Sequence, residues 1–121
     1  MKAFSARELW EAIEHAVQGN QALHLHSILT ADAPSCFVAA VNRGEPIAHL
    51  FDQKVERLTA TARRLGVRVI VIEHQNTDRQ HIDLCGAPLR KAIAESKYPS
   101  GDAQAELELF ARSDAGKGAK A

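Results

Sequence analysis

Apolar residues recur with a helical period near the start of the chain. The residues that share this spacing are Leu9, Trp10, Ile13, Ala16 and Val17. Ser5 and Glu8 stand three positions apart, as in a capping box, and Gly19-Asn20 ends the run. This pattern predicts an amphipathic helix whose apolar face, Trp10 included, belongs to the core, with His15 beside that face.

Residues 22–29 alternate between apolar and polar side chains. Such alternation predicts a strand, and it places His24 and His26 on the same face. Two histidines at this spacing can bind a metal ion, but the half-exposed face of a strand explains them equally well.

The segment that follows allows two interpretations. Asp32 could cap a helix over residues 33–43 that Gly44 would end. Alternatively, the unbroken apolar run 36–41 could be a buried strand that turns into a second strand over residues 47–51. We slightly favour the hairpin.

The middle of the chain has the pattern of an α/β unit. One apolar stripe of a helix near residues 53–65 consists of Val55, Leu58, Ala62 and Leu65. Asp52 can cap this helix, and Gly66 can end it in a left-handed conformation. Residues 67–73 are mostly β-branched, which predicts a central strand with Val69 and Val71 buried.

The segment HIDLC, residues 81–85, alternates polar and apolar side chains. A half-buried strand sorts side chains with a period of two, so Ile82 and Leu84 should lie in the core. His81 and Asp83 should then point together to the opposite face, with Cys85 beside them.

The last part of the chain predicts one helix clearly and a second element in two forms. Pro88 suits the first turn of a helix with the apolar face Leu89, Ile93 and Ala94. Residues 103–112 could form another helix capped by Asp102, or residues 107–110 could form an edge strand. Residues 113–121 are small and polar, which predicts a disordered tail.

At 121 residues the chain can bury a core without disulfides, and these elements predict a single α/β domain over residues 1–112. Its mixed sheet should have about four or five strands packed by helices. Cys36 and Cys85 are far apart in sequence, as in reducing compartments, and we expect no bond between them. No apolar run approaches the roughly 20 residues that span a bilayer, and charges interrupt the N-terminus. We therefore expect a cytoplasmic protein without a membrane partner.

The net charge is zero, which argues against nucleic acid as a partner. The charge is nevertheless uneven, since residues 53–97 carry nine basic and five acidic side chains. The closely spaced basic residues there are Lys54, Arg57, Arg63, Arg64 and Arg68. They predict either a solvated helix face or attraction to a small phosphate-containing ligand.

The side chains of His81, Asp83 and Cys85 are an imidazole, a carboxylate and a thiol, which are the groups that bind zinc and related metals. His74, just past the preceding strand, could join them. Alternate residues of a strand are about 7 Å apart, too far for Cys85 and His81 to act as nucleophile and base. In a purely structural interpretation, Asp83 bonds to amides of the next helix, Cys85 is a small buried apolar residue and His81 donates to a carbonyl.

Residues 48–96 resemble a family of small bacterial and phage proteins known only as a domain of unknown function. The matching features are His49-Leu50, Asp52 at a helix start, Leu65-Gly66 at a helix end, and the segment HIDLC. The chain departs from the family at Ile82, where tyrosine is usual, and at Ala48, where cysteine or serine is usual. The resemblance implies a bacterial protein and adds His49 and Asp52 to the candidate site, without implying a reaction.

Two functions fit these residues. The first is a non-catalytic ligand-binding or regulatory module that forms a homodimer or other homo-oligomer, which the lack of a phosphate-binding glycine loop and of a nucleophile motif favours. The second is a metal-dependent hydrolase resembling a phosphoesterase, in which a divalent ion activates water. The candidate ligand-binding residues are His49, Asp52, His74, His81 and Asp83 under both hypotheses. The candidate metal ligands are His81, Asp83 and Cys85.

Overall fold

A mixed five-stranded sheet with helices on both faces forms the described part of the protein. The structure, a computed structural model, describes residues 1–26, 47–97 and 101–108. The strands are β1 (Lys2–Phe4), β2 (Ala22–His26), β3 (Ile47–Phe51), β4 (Ile72–Glu73) and β5 (His81–Cys85). The helices are α1 (Leu9–Val17), α2 (Val55–Leu65), α3 (Gly86–Glu95) and α4 (101–108). This architecture confirms the predicted α/β fold with a mixed sheet.

The strand order is β1-β2-β3-β5-β4, with β3 in the centre and β4 at an edge. β1 and β2 run parallel, whereas the other neighbouring strands pair antiparallel. The strand over residues 47–51 matches the second strand of the favoured hairpin. The rest of that hairpin, the alternative helix over residues 33–43, and the tail over residues 113–121 lie outside the described residues.

One face of the sheet packs against α2 and α3 and forms the larger core. Its buried sheet residues are Leu23, Leu25, Ala48, Leu50, Ile82 and Leu84. The stripe of α2 contributes Leu58, Ala62 and Leu65, which confirms the burial predicted for these three residues, whereas Val55, predicted to be buried with them, is half-buried. The burial of Ile82 and Leu84 confirms the predicted alternation in β5.

The other face of the sheet packs against α1. The buried residues of this smaller core are Phe4, Ala12, Ile13, Ala16, Ala22 and Phe51. The backbone amide of Ser5 donates to Glu8 Oε1 at 2.9 Å, which is the return bond of the predicted capping box. The helix itself begins at Leu9.

The prediction that Trp10 belongs to the core is wrong, because the residue is 63% exposed. The buried positions of α1 follow the spacing 9, 12, 13 and 16, and the next residue along a helix points about 100° away from Leu9. Trp10 therefore lies beside the apolar stripe, where the guanidinium of Arg79 lies 5.1 Å from its ring centroid. Val17 is exposed for the same geometric reason.

The prediction of a buried central strand over residues 67–73 is also wrong. Only Ile72–Glu73 pair with the sheet, at its edge, and Val69 and Val71 are 80% and 50% exposed. Val69 and Val71 instead lie in the irregular segment between α2 and β4, where the chain has not yet joined the sheet, and their side chains project into solvent. Gly66 does end α2 in the left-handed conformation, with φ of 99°, as predicted.

The two C-terminal helices close the larger core. Pro88 lies in the first turn of α3 as predicted, and the buried residues of this helix are Leu89 and Ala92. Residues 101–108 are helical, which confirms the helix rather than the edge strand for the described part of that segment. The amide of Ala6 donates to Glu106 Oε2 at 2.8 Å, joining α4 to the start of α1. None of the described helices is long and apolar enough to cross a membrane.

Candidate metal centre

Three polar residues lie side by side across the centre of the sheet. The strand register places His49 of β3 directly between His24 of β2 and Asp83 of β5. Directly opposed residues of antiparallel strands share a face and bring their side chains together. His49 Nδ1 donates to Asp83 Oδ1 at 2.9 Å, and the rings of His24 and His49 stack with centroids 5.6 Å apart.

His81 joins this row from the same strand as Asp83. The two residues stand two positions apart on β5 and therefore point to the same face, as the sequence predicted. His81 Nε2 lies 3.1 Å from the same Oδ1 atom, and its ring meets that of His49 edge-on at 4.7 Å. We name His49, His81 and Asp83 the His/Asp cluster.

The hydrogen bonds of His81 define its protonation. His81 Nδ1 lies 2.6 Å from the carbonyl oxygen of Arg79, and a carbonyl can only accept. The Asp83 carboxylate also only accepts when it is ionised, so this arrangement favours the protonated form of His81, in which both ring nitrogens donate. Burial lowers the pKa of His81, but the hydrogen bonds to Asp83 and Arg79, with the charges of Asp83 and Glu73, outweigh it and raise the pKa.

The His/Asp cluster is largely shielded from water. The side chains of Asp83, His81 and His49 are 4%, 9% and 13% exposed. A carboxylate in such a place is costly unless it is paired, and here two imidazoles pair with it. This arrangement places a carboxylate between two imidazoles in a part of the sheet that is largely shielded from water.

The donor atoms of the His/Asp cluster all lie within 4.8 Å of one another. Ligand atoms around a tetrahedral zinc ion are about 3.4 Å apart, as follows from zinc–nitrogen distances of about 2.0–2.1 Å. Asp83 already lies closer than this to each imidazole. Binding an ion would chiefly require the two imidazoles to approach each other and to release the protons now shared with Asp83.

The remaining candidate residues fall into two groups. His74 has a ring centroid 5.9 Å from that of His81, so it lies beside the cluster, although it is exposed. Cys85 is half-buried at the start of α3 and is not among the three clustered donors. The third residue whose donor atom lies with those of His81 and Asp83 is His49.

Asp52 lies apart from the cluster in its contacts and has a structural role. It is fully buried, and its carboxylate accepts hydrogen bonds from Arg57 at 2.7 and 2.8 Å. It also accepts one from the backbone amide of Lys54 at 2.9 Å, immediately before α2. The N-cap residue of α2 is Lys54, so the prediction that Asp52 caps this helix is wrong. Asp52 instead holds the turn that leads into the helix, and an acceptor bonded in this way is occupied by the fold.

The sequence did not indicate that His24 would stack on His49. Its alternation with His26 placed it on a strand face, but only the register of β2 against β3 brings it to the cluster. His24 Nε2 lies 3.0 Å from the carbonyl oxygen of Ala6, which connects the cluster to the turn before α1.

No protein-family model matches this chain, and no curated protein or solved structure is significantly similar to it. The resemblance of residues 48–96 to a domain of unknown function therefore stays a prediction. The functional conclusion depends on the geometry of the His/Asp cluster.

Proposed function

We propose that this protein is a metal-binding module that holds a divalent transition-metal ion with His49, His81 and Asp83. The observation that carries the proposal is the position of Asp83 Oδ1, which lies 2.9 Å from His49 Nδ1 and 3.1 Å from His81 Nε2. Two imidazoles and a carboxylate suit zinc and its first-row neighbours better than magnesium or calcium, which prefer oxygen ligands alone.

The burial of the cluster favours a binding or regulatory function over hydrolysis. Catalytic zinc sites keep one coordination position open to water and substrate. The cluster instead has side chains that are nearly enclosed, as structural sites do. A metal-dependent hydrolase built on the same residues stays the alternative prediction, and it requires the pocket to open.

The proposal is tested by the metal content and zinc affinity of protein purified without a histidine tag. We expect close to one zinc ion per chain by elemental analysis, and saturable zinc binding in a calorimetric titration. His49→Gln and Asp83→Asn should each weaken zinc binding by about 10- to 100-fold or more, since each removes a ligand.

His15→Gln is the matched control, because His15 lies on α1 outside the cluster. This variant should bind zinc like the unmodified chain. Equal loss of zinc in His15→Gln, or an unmodified chain that ignores added zinc, nickel and cobalt, would contradict the proposed function.

We also propose that the chain forms a homodimer through the β4 edge. Two exposed valines, Val69 and Val71, precede this edge strand. β4 lies at the edge of the described sheet, so its outer side can pair with a second copy. Contact between the same edge of two copies would cover these valines around a twofold axis.

Light scattering coupled to size-exclusion chromatography tests the dimer. The double variant Val69→Lys/Val71→Lys should be monomeric, because it places like charges along the edge. Val17→Lys replaces an exposed valine on α1 and should remain dimeric. A monomeric unmodified chain at micromolar concentration would refute the interface.

The cytoplasm is the location we propose for this function. The chain has two cysteines, Cys36 and Cys85, which lie far apart in sequence, as is usual for proteins of reducing compartments. Cys36 lies outside the described residues.

A further inference from the structure

A cleft of about 680 Å³ lies outside the His/Asp cluster. We name it the basic cleft. The titratable side chains that line it are Lys2, His15, Arg57, Glu95 and Lys97. None of these residues belongs to the His/Asp cluster. Its volume is in the range of sites for small metabolites, which is roughly 300–1,000 Å³.

The backbone brings Lys2 and Lys97 together. The two residues form a parallel bridge, with the amide of Ala3 donating to the carbonyl of Lys97 at 2.7 Å. Bridged residues project their side chains to the same face. The bridge therefore anchors two exposed lysines at the cleft, and the ammonium group of Lys2 also lies 5.7 Å from the ring centroid of Phe4.

Arg57 provides a fixed guanidinium on another side of the cleft. Its Nε and Nη2 atoms donate to Asp52, and Nη2 also donates to the carbonyl of Gly19 at 2.9 Å. Because Asp52 is fully buried, these bonds hold Arg57 in one position. Planar guanidinium groups fixed in this way are well suited to phosphate oxygens.

The acidic residue of the cleft does not cancel its positive charge. The carboxylate of Glu95 is bound by both terminal nitrogens of Arg64, at 2.7 and 2.8 Å. The pKa of His15 is lowered, by burial first and by the charge of Lys2 second. The lysines therefore impose a positive potential on the cleft.

We propose that the basic cleft binds a small phosphate-bearing anion. Lys2 and Lys97 supply the charge. Arg57 donates its Nε and Nη2 hydrogens to Asp52 and Gly19, and it supplies the N–H groups of Nη1 to the anion. The site is separate from the proposed metal centre, and neither proposal depends on the other.

The probe is inorganic pyrophosphate, titrated into the full chain at low ionic strength and followed by calorimetry. We expect saturable binding that is tighter than the binding of orthophosphate, because the cleft offers cations on more than one side. Lys2→Gln and Lys97→Gln should each weaken pyrophosphate binding by about tenfold, the usual effect of one charged hydrogen bond. Neither variant should lower the melting temperature of the ligand-free protein by more than about 4 °C, because both side chains are exposed.

Lys91→Gln is the matched control, because Lys91 is an exposed lysine on α3 that does not line the cleft. It should bind pyrophosphate like the unmodified chain. The proposal is overturned if the unmodified chain shows no saturable binding at millimolar pyrophosphate. It is overturned equally if Lys91→Gln weakens binding as much as Lys97→Gln, since the attraction would then be diffuse.

Discussion

Replacing Asp83 with asparagine tests whether the His/Asp cluster is a bonded unit in the absence of metal. The carboxylate accepts hydrogen bonds from His49 and His81 through a single oxygen, and its side chain is 4% exposed. Asparagine has almost the same shape and keeps one acceptor oxygen, but it carries no charge. The substitution therefore removes the counter-charge of His81 while leaving the packing nearly unchanged.

The magnitude follows from the two bonds. Hydrogen bonds to charged groups contribute about 1.5–3 kcal/mol each, and removal of one partner of a buried ion pair costs about 3–5 kcal/mol. The neutral oxygen of asparagine retains part of the interaction, so we expect a loss of about 3 kcal/mol in the free energy of unfolding. For a domain of this size that loss corresponds to a melting temperature lower by about 12 °C.

The assay is urea denaturation of the metal-free protein at pH 6, with chelator present. Asp78→Asn is the matched control, because Asp78 is an exposed residue in the loop before β5, and it should change the free energy by less than about 0.5 kcal/mol. An Asp83→Asn protein within 1 kcal/mol of the unmodified chain, our threshold for an unimportant contact, would refute the account of the cluster as a paired, buried network.

Three further predictions follow from the fold and the cluster. Leu58→Ala should lower the free energy of unfolding by about 2–5 kcal/mol in urea titrations, because Leu58 is fully buried, whereas Val17→Ala, at an exposed valine outside the proposed dimer interface, should change it by less than about 0.5 kcal/mol. Trp10→Ala should cost no more than about 1 kcal/mol in the same assay, since its ring is exposed and its main contact is the cation of Arg79. Because the pKa of His81 is raised in the folded state, its stabilising charge is present below its unfolded pKa of about 6.5 and is lost as pH rises through the folded value. The melting temperature of the metal-free protein should therefore fall as the pH rises through this range, and the contribution of His81 to this fall should be absent in His81→Gln. Stabilisation by zinc should instead increase with pH, because binding needs neutral imidazoles.

Local periodicity was sufficient to predict the elements whose two sides differ in polarity. The alternation of β5 and the stripe of α2 each identified the buried side correctly, and Gly66 marked the end of α2. These features depend on residues that are neighbours in sequence. They are therefore visible without any knowledge of the partner elements.

Periodicity failed where burial depends on what lies next to an element. The β-branched residues Val69 and Val71 resemble those of a central strand, yet their segment reaches the sheet only at its edge. Trp10 lies near an apolar stripe but beyond the width that the sheet covers. The apolar sequence thus showed which residues could be buried. Their position relative to the sheet determined which of them are buried.

The candidate site was predictable in part for the same reason. His81 and Asp83 share a strand, so their common orientation followed from the sequence. His49 and His24 reach them only through the register of three strands, which hydrogen bonds between distant segments determine. Asp52 was expected to cap α2 but lies two residues before the N-cap residue Lys54, and its pairing with Arg57 explains why it contributes no ligand to the cluster.

Anomalous diffraction at the zinc absorption edge, from crystals of the zinc-loaded protein, tests the central claim most directly. The account predicts one strong peak about 2.0–2.2 Å from His49 Nδ1, His81 Nε2 and an oxygen of Asp83. The peak should vanish from crystals of Asp83→Asn and persist in those of His15→Gln. Zinc bound elsewhere, or crystals with no ordered zinc while His49 and His81 still bond to Asp83, would contradict the assignment of the cluster as a metal centre.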